Sequence, residues 1–207
     1  MRAPSPNSGV LRRHSVSSEY SRVEASKQQT IAPPGVRCPG PVTVSGRGYR
    51  EAMDRAAVFR ATALFERRGQ LDRVEAGEEA ASLCLARAQD RLRAAQVLMA
   101  AELWESAFTT AYDAYRTAAD AVALSLGFRV PATNGAHRIA TDIAHAALHA
   151  TTQAFATTAA ERFRRGRHES EYFDPARPID KTMEDAAWAL DLAAGAVNAV
   201  ARSLSRG

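Results

Sequence analysis

From about Arg50 onward, apolar positions recur at the three- and four-residue steps of α-helices. Ala56, Ala57, Phe59, Ala63 and Phe65 alternate with charges until Gly69 ends the run, as a helix C-terminus favours. A second helix is predicted from about Ala76 to Ala101, with Leu85, Ala88, Leu92, Ala95 and Met99 on one stripe. Leu103-Trp104-Glu105 reads as a corner. A third helix follows to Leu126, burying Phe108, Ala111, Tyr112, Tyr115, Ala119, Val122 and Leu126. Gly127 closes it, and Pro131 prevents early resumption. Thr133 or Asn134 can cap a fourth helix carrying Ile139, Ile143 and Ala147. A fifth is predicted over Thr152 to Arg165, with Phe155, Ala159 and Phe163 at four-residue spacing. GRHESEYFDPARP reads as a polar connection, and Asp180 as the cap of the last helix. There Met183, Ala187, Leu190, Ala194, Val197, Ala201 and Leu204 alternate steps of four and three, a spacing that suits a bundle seam.

These patterns predict an all-α fold, an antiparallel four- to five-helix bundle. Residues 1–48 differ: rich in Ser, Pro, Gly and Arg and without apolar periodicity, they are expected to form a disordered basic tail. Residues 49–73 are then an N-terminal helix and 74–207 the bundle. The apolar content leans on alanine, the strongest helix former, and aromatics are only 7%. The net charge of +4 is too small to imply nucleic acid by itself. Its positive share is nearly all arginine, which suits paired hydrogen bonds to phosphate, although a GC-rich genome gives the same bias. Cys38 and Cys84 make no disulfide framework, so a reducing cytoplasm is the expected setting. No stretch is apolar for long enough to span a bilayer, and no membrane partner is expected.

Chemistry concentrates in Arg162, Arg164, Arg165, Arg167, His168, Glu171 and Tyr172, at a predicted helix end and the following loop. Four arginines in six residues repel one another, and a phosphate would relieve that repulsion. His168 can titrate near neutral pH and so move a proton. The same residues also read as a solvated basic end that complements the helix dipole. Asp142, His145 and His149 share a helix side. Histidines at i, i+4 can bind zinc, but no further ligand is evident, so a solvated face is the reading, with no metal and no cofactor. In Tyr112-Asp113-Ala114-Tyr115-Arg116 the tyrosines read as core, and Asp113 and Arg116 as an ordinary pair.

The helix order, with AYDAYRTAADAVALSLG, GAHRIATDIAHAAL, RFRRGRHESEY and a long final helix, resembles the HEPN superfamily over roughly residues 74 to 205. It closely resembles a bacterial subgroup with an Arg-His or Arg-Asn pair followed by an acidic residue and tyrosine. Many HEPN domains are metal-independent endoribonucleases or partners of nucleotidyltransferases in toxin–antitoxin and phage-defence systems. Their motif is an Arg, four to six residues, then a His. Two alignments stand. With Arg167 as the motif arginine, His168 takes the place of a frequent Asn and Tyr172 that of the catalytic His. With Arg162 as the motif arginine, His168 is itself the catalytic His. The RHESEY context favours the first, where a phenol is a poor base at neutral pH.

The resemblance then implies Arg167 as phosphate ligand and His168 as acid/base. Arg162, Arg164, Glu171 and Tyr172 would be substrate-binding residues, and Asp113 would lend a polar group from the second HEPN helix. The expected function is an RNA-directed module of a defence or toxin–antitoxin system, a candidate metal-independent endoribonuclease with a degenerate motif. The alternative is a non-catalytic dimeric interaction or nucleotide-binding module. Expected partners are RNA or a nucleotide, a second copy of the chain, and an antitoxin or nucleotidyltransferase. The homodimer is expected because the final helix carries a longer apolar seam than a four-helix core needs.

Overall fold

The computed structural model describes residues 55–75, 77–132, 135–171, 175 and 181–205, all within one compact unit, Thr43–Gly207. The predicted tail, the candidate caps Thr133, Asn134 and Asp180, and Tyr172 lie outside the described residues. Among the described residues six helices follow in order: α1 (Arg55–Arg67), α2 (Gly77–Ala100), α3 (Trp104–Ser125), α4 (Ala136–Leu148), α5 (Thr157–Glu171) and α6 (Met183–Leu204). The all-α prediction holds. Two short strands, β1 (Asp72–Arg73) and β2 (Phe128–Arg129), pair antiparallel and tie the segment after α1 to the end of α3.

α3 is the central helix, packed against α2, α4, α5 and α6. Its buried residues include Phe108, Ala111, Tyr112, Ala114, Tyr115, Ala118, Ala119, Ala121 and Val122, so it is covered on nearly all sides. Alanine permits this: with no side chain beyond Cβ, neighbouring helices can approach closely without leaving voids. An aromatic knot holds α3 to α5 and α6. Phe163 meets Phe108, Tyr112, Tyr115 and Trp188 with ring centroids 5.2–5.3 Å apart.

Three sequence expectations need correction. α5 starts at Thr157 and runs past Arg165 to Glu171, so Arg167, His168 and Glu171 stand on a helix, not in a loop. Gly166 does not break it. The glycine is buried, and a Cβ there would lie 2.6 Å from the Phe108 ring, so its role is close helix packing. The last helix is capped by Thr182, whose side chain and that of Asp185 form a reciprocal capping box. The buried stripe of α6 is Ala186, Ala189, Ala193, Ala196 and Val200 together with Val197, not the predicted seam. Of that seam only Val197 is buried, and Met183 is 51% exposed. Alanines lie all round α6, so two neighbouring stripes satisfy the same spacing, and the fit against α3 decides between them.

Candidate functional site

One turn of α3 places Tyr112, Asp113 and Arg116 near the start of α4 and the second half of α5. The Tyr112 hydroxyl lies 3.0 Å from Nδ1 of His137, in the first turn of α4. The two rings pack at 5.9 Å between centroids. Gly135 precedes that turn with φ 85°, in the left-handed region glycine adopts without strain. Having no side chain, it leaves the first amides of α4 without a side-chain cap from that position.

α5 brings its charges to this pair unevenly. Arg164 lines a small cavity with Tyr112, Tyr115, His137, Asp142 and Glu161. At about 10 Å³ it is water-sized. Arg167 is the least exposed arginine of the cluster, at 25% against 50–74% for Arg162, Arg164 and Arg165.

The electrostatics mark the same neighbourhood. Burial, opposed by the guanidinium charges of Arg116, Arg164 and Arg167, pushes the Tyr112 phenol up to about 12, so it stays protonated. Burial and then Arg116 hold His137 below the usual imidazole value, with Arg167 adding to the effect and Asp113 and Glu171 opposing it. His137 is therefore neutral at neutral pH. Behind it, Arg116 reaches Asp120 at 3.8 Å, and burial raises the Asp120 carboxyl.

The predicted arginine cluster does not act as one unit. Arg162 lies over the Trp188 ring at 4.0 Å and 3.9 Å from Asp185, which assigns it to the α5–α6 contact. Arg165 is the most exposed of the four and lies 4.0 Å from Glu169. Arg164 pairs with Glu161, and Arg167 with Glu171 at 2.9 Å. Their mutual repulsion is thus relieved by carboxylates of the chain itself. His168 occupies the last turn of α5 and is exposed. Asp113, Arg164, Arg167 and Glu171 converge on the Tyr112–His137 pair. His137 was not singled out from the sequence, and Arg116, read there as an ordinary partner of Asp113, pairs instead with Asp120. The only signal for His137 was its place in GAHRIATDIAHAAL, because nothing in its spacing brings it to Tyr112.

The His145 and His149 rings are 5.7 Å apart, and among the described residues no group of three His, Cys, Asp or Glu could hold a metal ion. No described helix is long and apolar enough to cross a membrane.

Comparison with curated proteins and with solved structures gives no match. A family model described as "HEPN domain" matches residues 81–203, from the second turn of α2 to the last turn of α6. That span holds every residue gathered around His137, and the chain belongs to the HEPN domain family, a class of RNA-related or nuclease-type helical modules.

Proposed function

We propose that this protein is an RNA-directed HEPN module in which Arg167 and Arg164, with Arg116, receive a backbone phosphate beside His137. The carrying observation is that the guanidinium charges of Arg116 and Arg167 act on both Tyr112 and His137 while Arg164 lines one cavity with the pair, all within a HEPN domain. The first amides of α4 add the positive end of a helix dipole on the same side. In the enzymatic form Arg167 polarises the scissile phosphate and His168 transfers a proton. The setting is a defence or toxin–antitoxin system, with a homodimer as the working unit.

The carboxylate partners do not block such a ligand. Pairs this exposed are worth only about 0–1 kcal/mol, so a phosphate can take Arg167 from Glu171. Glu171 is then a competitor for the arginine, and removing its charge strengthens RNA binding. The test is filter binding at low salt with cleavage of mixed RNA in EDTA. Arg167→Ala weakens binding, Glu171→Gln tightens it, and the Arg167→Ala/His168→Ala pair abolishes cleavage. Wild-type protein that retains no RNA refutes the reading.

A second reading, a non-catalytic dimeric interaction or nucleotide-binding module, is favoured by one observation. Each α5 arginine already has a carboxylate within 4.0 Å, so the fold is self-sufficient without a substrate. Binding without cleavage, with a dimeric mass by light scattering, selects it.

A further inference from the structure

We propose that His137 is the general base of this site and that Tyr112 is its positioning residue, on a helix outside the Arg-His motif. The inference rests on the RNA-directed reading and names the group that activates the ribose.

The Tyr112 hydroxyl contacts Nδ1 at 3.0 Å, and among the described residues Nε2 makes no hydrogen bond. Tyr112 is buried while His137 is exposed, so a fixed phenol meets one ring nitrogen and the rest of the ring remains open to solvent. Two tautomers fit this contact: with the ring proton on Nδ1 it donates to the phenol oxygen and Nε2 carries the free lone pair a base needs, and with the phenol donating to Nδ1 the proton sits on Nε2. The general-base role requires the first. The charged and titratable groups around the ring are Tyr112, Asp113 and Arg116 from α3, Arg138 and Asp142 from α4, and Glu161, Arg164, Arg167 and Glu171 from α5. Burial, Arg116 and Arg167 keep the imidazole neutral, the state a base requires. Arg167 links the phosphate-binding role to the same ring.

The balanced step is an attack by a ribose 2′-hydroxyl on its own phosphate. Nε2 of His137 takes the hydroxyl proton as the 2′-oxygen–phosphorus bond forms. The phosphorus–5′-oxygen bond breaks with its electron pair, and the departing oxygen takes a proton from a water molecule. A 2′,3′-cyclic phosphate and a 5′-hydroxyl result. The hydroxide left by that water takes the proton from Nε2 and restores neutral His137.

The experiment measures cleavage of single-stranded RNA by the full chain in EDTA from pH 5 to 8, with filter binding in parallel. His137→Gln and His137→Asn should bind RNA within about 2-fold of wild type and cut at least about 100-fold more slowly, as loss of a general base predicts. Tyr112→Phe should lower kcat with little change in KM. Asp113→Asn, which removes a charge that favours the imidazolium, should move the acid limb of the rate profile to lower pH. Wild-type rates in both His137 variants, with Arg167→Ala still impaired, overturn the assignment and leave the RNA-directed reading intact. RNA binding without cleavage by wild type also overturns it. Absence of RNA binding removes the parent reading as well.

Discussion

Replacing Gly166 with alanine puts a methyl group against the buried Phe108 ring. The new Cβ would lie 2.6 Å from Cζ and 3.1 Å from Cε1 of Phe108, and 3.5 Å from Nζ of Lys181. The Phe108 ring has little room to retreat. It is 2% exposed, edge-on to Phe163 at 5.2 Å, stacked on Trp188 at 6.3 Å, and under the Lys181 ammonium at 4.9 Å. Lys181 is held in turn by Glu169 at 3.0 Å. Forcing an extra methyl into such a core costs about 1–3 kcal/mol. Alanine in place of glycine inside a helix returns about 1 kcal/mol. The net effect is a destabilisation of about 1 kcal/mol from the middle of that range, or a melting temperature lower by about 2–4 °C for a chain of this size.

A double-mutant cycle separates the two opposing effects. With Phe108→Leu the ring tip is gone, and Gly166→Ala should then raise stability through helix propensity alone. The coupling between the two sites should be about 2 kcal/mol, within the range for residues in contact. Urea unfolding of the four variants measures it. If Gly166→Ala is as stable as wild type in the Phe108 background, Gly166 is not a packing glycine and the account of α5 is wrong.

Three further outcomes follow from the same geometry. Arg162→Ala removes the guanidinium over Trp188, worth about 0.5–1 kcal/mol for an exposed cation–π contact, and should lower stability with RNA retention unchanged; Arg167→Ala should do the reverse. Burial, with Asp120 adding to it, pushes the Cys84 thiol up to about 11 from 9.0, and Sγ donates to the Thr117 carbonyl at 3.3 Å. In a Cys38→Ser background, alkylation at pH 8 should therefore be about 100-fold slower than for an ordinary thiol, since only the thiolate reacts; a normal rate refutes its burial. For His137 the folded state holds the proton less tightly than the unfolded chain, whose value is near 6.5. The stability linked to this residue is thus fully present above that pH and is lost as pH falls below it. Urea midpoints from pH 7.5 to 5 should drop less in His137→Gln than in wild type.

Helix number, order and most boundaries were legible because alanine-rich stripes, terminal glycines and Pro131 act locally. The end of α5 was not. Gly166 and the polar run after it look like a terminator, yet pairs four residues apart, Arg165–Glu169 and Arg167–Glu171, continue the helix, and a ring from α3 occupies the space beside the glycine. The buried face of α6 was equally hidden. Spacing fixes a period but not a phase when alanine lies on every side.

Of the candidate site, the residue types on α5 could be read in order along the chain, together with the resemblance they carry. Tertiary structure alone divided the arginines, sending Arg162 to Trp188 and leaving Arg167 low beside His137. It alone joined Tyr112 to an imidazole 25 residues away. A side chain's charge and helical position are local properties set by the sequence. Which groups share a desolvated surface depends on how helices distant in the chain are packed together.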